Sequence, residues 1–198
     1  MKYGELNLGQ VEAVVNKLGG MEGVRRFLSG ELVVEGLEHQ FKIWKTIKLG
    51  TGLKTADDFR KALKDSGFNV SEWANDILGK PAFTAATEGT EVDLVKVTVA
   101  ELGFKKGARR DQIYGRAKEL GLELCPPEVG PQLRLQYKDQ PNNEWVLIGM
   151  EPITGSGGGL HVFAVERHDS GLWLSSHWGN PGHVWHADDL WVFCRPRK

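Results

Sequence analysis

The sequence predicts an α+β protein, with an N-terminal helical module followed by a mostly antiparallel β-sheet or partly open barrel that carries one or two helices. Three observations predict it. Capping signatures and apolar residues at helical spacing crowd the first 80 residues. Short β-branched and aromatic runs fill most of the remainder, and the links between them are short and rich in Pro, Asn and Gly, as antiparallel neighbours require.

Taken in order, Asn7 and Gln10 form a capping-box pattern, and Val11, Val14, Val15 and Leu18 make one apolar face that Gly19 and Gly20 end. A second helix is expected over 21–28, with Val24, Phe27 and Leu28 on its apolar side. Residues 31–35 and 41–49 read as strands from their β-branched, alternating character. Thr55 and Asp58 open a third helix whose face is Phe59, Ala62 and Leu63; Ser71 caps a fourth that carries Trp73, Ala74, Ile77 and Leu78. Residues 81–90 lack any period and contain Pro, Gly and Thr, so they are expected to link a helical module, 1–80, to an antiparallel module, 91–198. In the second module a strand over 92–99 and a helix over 110–120 precede candidate strands at 122–125, 133–137, 144–150, 161–167, 172–175 and 190–194.

Composition narrows the classes. The 198 residues are 40% hydrophobic and 26% charged, with 25 basic against 26 acidic side chains, which excludes fibrous, collagenous and wholly disordered chains. Two cysteines, Cys125 and Cys194, allow neither a disulfide framework nor a paired-cysteine zinc site, and a reducing, cytoplasmic setting is expected. Residues 1–6 lack the apolar stretch of a signal peptide, and no membrane span is expected. Charge is segregated: residues 39–118 carry 15 basic and 10 acidic side chains, residues 119–191 carry 3 and 10. The two parts are expected to face different partners, or each other.

Three constellations bear on function. The order strand, Gly50-Thr51-Gly52, Lys54-Thr55, helix mimics a phosphate loop, but Leu53 separates the glycine from the lysine, so a tight turn and a threonine cap are the expectation. Five of the six histidines, His161, His168, His177, His183 and His186, fall in the last 38 residues, interleaved with Trp173, Trp178, Trp185 and Trp191. Trp173 and Trp191 sit inside strand patterns and are expected in the core. Trp178 and Trp185, in a Gly- and Pro-containing stretch, are expected exposed, and with His177, His183 and His186 they form the candidate ligand-binding set, since an aromatic body with a polar tip is the usual lining of a pocket. The spacing does not assign a metal. The third constellation is the basic stretch 105–118, where Arg109, Arg110, Gln112 and Arg116 are the residue types that contact phosphates and base edges. Its plainer reading is a solvated helix with Ile113, Ala117 and Leu120 packed inward.

The stretches 44–52, 55–63 and 122–131 resemble hypothetical proteins of candidate-phylum bacteria, over most of the chain. The resemblance implies a bacterial cytoplasmic origin and carries no activity, cofactor or catalytic residue onto any position. The reading is therefore a non-enzymatic binding or interaction protein with a small polar ligand or a protein partner, no cofactor and no membrane association. One alternative is a nucleic-acid-binding regulator using the basic helix; a second is a hydrolase or metal-dependent enzyme using the His/Asp/Trp-rich C-terminal region.

Overall fold

Two units make up the chain, Met1–His39 and Gln40–Lys198, and the computed structural model describes residues 7–32 of the first and 41–197 of the second. In the first unit, α1 (Leu8–Lys17) begins at the expected cap: the Asn7 side chain accepts the Gln10 N–H and the Gln10 side chain accepts the Asn7 N–H, both at 2.9 Å. α2 (Gly20–Leu28) follows across Gly19. A Cβ at Gly23 would stand 1.5 Å from the Leu18 carbonyl oxygen, so only glycine lets the second helix come this close to the end of the first. Leu8, Val11, Val14, Met21, Phe27 and Leu28 stay exposed, so these short helices bury little of their own apolar stripe. Residues 33–35 of the strand expected at 31–35 lie outside the described residues.

The second unit runs β1 (Lys45–Leu49), α3 (Ala56–Asp65), β2 (Asn69–Val70), α4 (Glu72–Leu78), β3 (Thr90–Thr98), β4 (Ala108–Arg109), α5 (Arg110–Glu119), α6 (Val129–Gln136), β5 (Trp145–Ile148), β6 (Ile153–Thr154), β7 (Leu160–His168), β8 (Gly171–Trp178), β9 (Val184–Trp185) and β10 (Leu190–Arg195). The main sheet has the order β1-β3-β10-β5-β7-β8-β2, with β6 on β7, and curls as a half-barrel. β10–β5 and β8–β2 are parallel and the other pairs antiparallel, so the α+β class and the mostly antiparallel sheet hold. A separate two-stranded ladder joins β4 to β9. Among the described residues no helix is long and apolar enough to cross a membrane.

The division of the chain falls after His39 rather than at 81–90. β1 and β2 belong to the same sheet as the strands beyond residue 90, so the expected 1–80 module is split and its second half joins the sheet. The aperiodic stretch is a packed loop: Phe83 sets its ring edge-on to Phe59 at 5.3 Å and to Phe163 at 6.1 Å, and the Ala86 N–H donates to Glu128 at 2.7 Å. Residues 133–137 are not a strand but the end of α6. Their alternation misleads because Arg134, which reads as a solvent position, is fully buried and donates to Gln140 and to the Tyr137 and Glu166 carbonyls. Pro131 is tolerated in the first turn, where an amide has no intrahelical partner. Residues 122–125 make only the isolated bridges Glu123↔Cys194 and Cys125↔Met150. The strand expected at 41–49 is confined to its last five residues, which pair with β3.

Alternation in β7 sets the architecture around it. His161, Phe163 and Val165 share one face, on which α6 approaches Phe163 so closely that a Cβ at Gly130 would stand 2.6 Å from the Phe163 Cβ. Val162, Ala164, Glu166 and His168 face the opposite side, on which the register also places Leu147, Trp191, Ser175 and His177. α5 covers part of that second face, with Tyr114 edge-on to Trp191 at 5.6 Å and to Phe193 at 5.9 Å.

Candidate ligand-binding site

Beyond the cover of α5, the second sheet face carries a polar constellation built by strand pairing. Glu166 and His168 are two apart in β7 and so share a face; Trp145 of β5 is the register partner of Glu166 on one side and Trp173 of β8 on the other. His177 enters the same face from β8. Glu166 is 5% exposed and both of its oxygens are engaged, Oε1 at 2.7 Å from His177 Nε2 and Oε2 at 2.9 Å from His168 Nε2, with the Ser175 hydroxyl also bonded to the carboxylate. Burial works to raise the Glu166 carboxyl, but the bonds from His177 and His168 outweigh it and hold the group below the ordinary carboxylate value. An ionised carboxylate only accepts, so each Nε2 carries its proton and, in the neutral ring, Nδ1 is the acceptor.

Indoles wall this pair of imidazoles. Trp145, half-exposed, meets His168 edge-on and lies tilted against His177, both at 5.4 Å between ring centres. Trp185 meets His177 at 6.1 Å and His183 at 4.8 Å, then leads inward to Trp191 at 5.2 Å. Of the residues expected to bind ligand, His177, His183 and Trp185 are therefore brought together. Trp185 is corrected from exposed to buried, because β9 pairs with β4 and presses its ring onto Trp191. Trp191 is in the core as expected, whereas Trp173 is only partly covered, its indole N–H donating to Ser170. His186 is exposed in the loop after β9, and its backbone N–H donates to Asp189.

Trp178 lies on the other sheet face. Being the register partner of His161, it stacks on that imidazole at 5.2 Å, and Trp73 from α4 stacks on it at 5.1 Å. His161 is buried with Nδ1 unpartnered, and burial pushes it below the ordinary imidazole value while Asp76 pulls weakly the other way. The Gly-rich loop between β6 and β7 crosses this end. It is tied down by Asp76, which accepts the Ser156 N–H and hydroxyl, each at 2.6 Å, and pairs with Lys80; the two bonds from Ser156 chiefly hold Asp76 at about 2.

The basic helix does not present its four candidates as one exposed stripe. Arg109 pairs with Asp111, the Gln112 side chain accepts the Arg109 N–H, Arg116 pairs with Glu119, and Arg110 is buried. The Gly50 turn is likewise occupied from within: Glu128, fully buried, accepts the Gly50 N–H at 2.9 Å, so a carboxylate stands where a phosphate would. A cleft of about 320 Å³ between 48–51 and 89–91 is bounded by Arg197, itself paired with Asp93 and Glu91. Both cysteines are buried; burial and the neighbouring Cys194 push the Cys125 thiol well up, as befits packing rather than reactivity. Among the described residues no group of three or more His, Cys, Asp and Glu side chains is arranged to hold a metal ion.

Glu166, His168 and Trp145 were not singled out by the sequence reading. The available signal was the alternation Glu166-x-His168 facing Ser175-x-His177, which puts four polar groups on one face of a hairpin. Comparisons with protein-family models, with curated proteins and with solved structures find no match to this chain.

Proposed function

We propose that this protein is a non-enzymatic ligand-binding protein of the bacterial cytoplasm, and that its site is the sheet face around Glu166, His168, His177 and Trp145. The observation that carries the reading is the engagement of both oxygens of a buried carboxylate by two partly exposed imidazoles. A carboxylate so occupied positions its neighbours, each of its oxygens already accepting from an imidazole. What faces outward is a pair of oriented rings beside a half-exposed indole. That combination suits a small polar ligand that donates through hydroxyl or amino groups and lays an apolar face on Trp145. The nucleic-acid alternative is weakened by the internal pairing of Arg109 and Arg116.

A titration of the protein with mono- and disaccharides and amino alcohols, followed by indole and imidazole NMR resonances, tests the reading. A binder is expected to move the Trp145, His168 and His177 signals, and His177→Ala or Trp145→Ala to weaken it about tenfold, the value of one good hydrogen bond or ring contact. A panel that moves only Trp73 and Trp178 transfers the site to the opposite face and overturns it.

A further inference from the structure

We infer that a small oxyanion, a carboxylate or a phosphate group, is bound between α5 and β9 by Arg110 together with the indole N–H groups of Trp185 and Trp191. The three side chains are 9%, 8% and 0% exposed, and Arg110 Nε, Trp185 Nε1 and Trp191 Nε1 each lack a hydrogen-bond partner. They belong to one packed cluster. The Arg110 guanidinium lies 4.6 Å over the Tyr114 ring, Tyr114 meets Trp191 at 5.6 Å, and Trp191 meets Trp185 at 5.2 Å. The β4–β9 ladder holds the two sides together, pairing Ala108 with Trp185, and the Arg110 N–H donates to the His183 carbonyl at 2.9 Å.

All three unmet groups are donors and one carries a full positive charge, so the missing partner is an acceptor, and a negative one satisfies the charge as well. Among the described residues the other unpartnered buried side-chain atoms, Arg134 Nε, His161 Nδ1 and Ser176 Oγ, are spread over the fold, whereas these three donors share one aromatic cluster. Every other arginine among the described residues meets a carboxylate or a carbonyl oxygen: Arg109, Arg116 and Arg197 pair with acids, and the terminal nitrogens of the buried Arg134 donate to Gln140 and two backbone carbonyls. Arg110 reaches only the Tyr114 hydroxyl, which already donates to the Met150 carbonyl at 2.8 Å. Asp111, the next residue in the chain, is engaged by Arg109. The first amides of α5 are satisfied by the Pro181 and His183 carbonyls, so the side chains, not the helix terminus, make the site.

The test follows the Trp185 and Trp191 indole N–H resonances and the melting temperature of the full chain during titration with inorganic phosphate and, separately, acetate, at ionic strength held constant with chloride. Saturable movement of both indole signals and a raised melting temperature with at least one anion are expected. Arg110→Gln should weaken that binding about tenfold or more, as loss of a charge-assisted pair does. Should Arg110→Gln fail to fold, Trp185→Phe, which keeps the ring and removes the donor, is expected to weaken binding with the fold intact. Response to phosphate alone identifies a phosphoryl ligand, and response to acetate alone a carboxylate. No saturable response to either anion overturns the proposal, as does equal affinity in the variants, which places the ion elsewhere. His168→Ala strips a partner from Glu166 and should leave the anion response unchanged, so this site and the Glu166 site can fail separately.

Discussion

The β7–β8 hairpin carries two histidine–tryptophan clusters on opposite faces, and they solve burial in opposite ways. On one face Glu166 is surrounded by hydrogen-bond partners and stays ionised although almost wholly covered. On the other, His161 is stacked on by Trp73 and Trp178, has an unpartnered nitrogen, and is held away from its charged form by burial. The difference teaches that clustering in sequence does not mean clustering in space. His161, His168 and His177 are close along the chain, yet a strand's two-residue period sends the first to one side and the others across the sheet.

The sharpest break of this comparison comes at its polar end. Glu166→Gln replaces a charge-assisted acceptor by a neutral amide, and should cost about 2 kcal/mol in chemical denaturation at neutral pH. The sign with pH follows from the lowered carboxyl: its contribution is complete above the ordinary carboxylate range and is lost as pH falls through the lower folded value, so the variant should lose that acid-limb slope. A cost no larger than that of a surface change would show that Glu166 does not organise the face. At the stacked end, His161→Phe removes an unpaired buried nitrogen and should be neutral or stabilising within about 1 kcal/mol at neutral pH. Because folding lowers the imidazole, the unfolded chain takes the proton first. Unmodified protein should therefore lose stability as pH drops below the ordinary imidazole value, and His161→Phe should flatten that part of a melting-temperature profile. Smaller still is the effect of Asp76→Asn, which weakens the anchors of the 155–159 loop without touching the core. Faster amide exchange at Ser156 and little change in global stability are expected.

Local chemistry was the legible part of the fold. Asn7, Thr55 and Ser71 open α1, α3 and α4 as their side chains dictate. What sequence could not carry was long-range partnership. Arg134 reads as a polar strand position until Gln140 and two carbonyls are seen around it, and residues 81–90 read as a linker until Phe83 and Ala86 are seen against the core. The site shows the same limit: His177, His183 and Trp185 were found by composition, whereas Glu166 and Trp145 became visible only through register.

The finest test of the comparison removes the covering ring at each end and watches the direction in which the covered group moves. Trp178→Ala opens the stack on His161, and since burial is what depresses that imidazole, rehydration should raise it toward its ordinary value. Trp145→Ala opens the face over Glu166. There burial is the opposing influence and the hydrogen bonds are what lower the carboxyl, so rehydration with both histidines in place should leave it as low or lower. Both indoles are about half exposed, so each truncation should cost only about 1 kcal/mol, well under that of a core aromatic. Imidazole ring signals followed by NMR between mildly acidic and neutral pH read the first shift, and the carboxyl signal of Glu166 in the acid range reads the second. Upward movement of Glu166 would mean that burial does not oppose its ionisation as described, because uncovering a carboxylate whose partners remain has no reason to favour its protonated form.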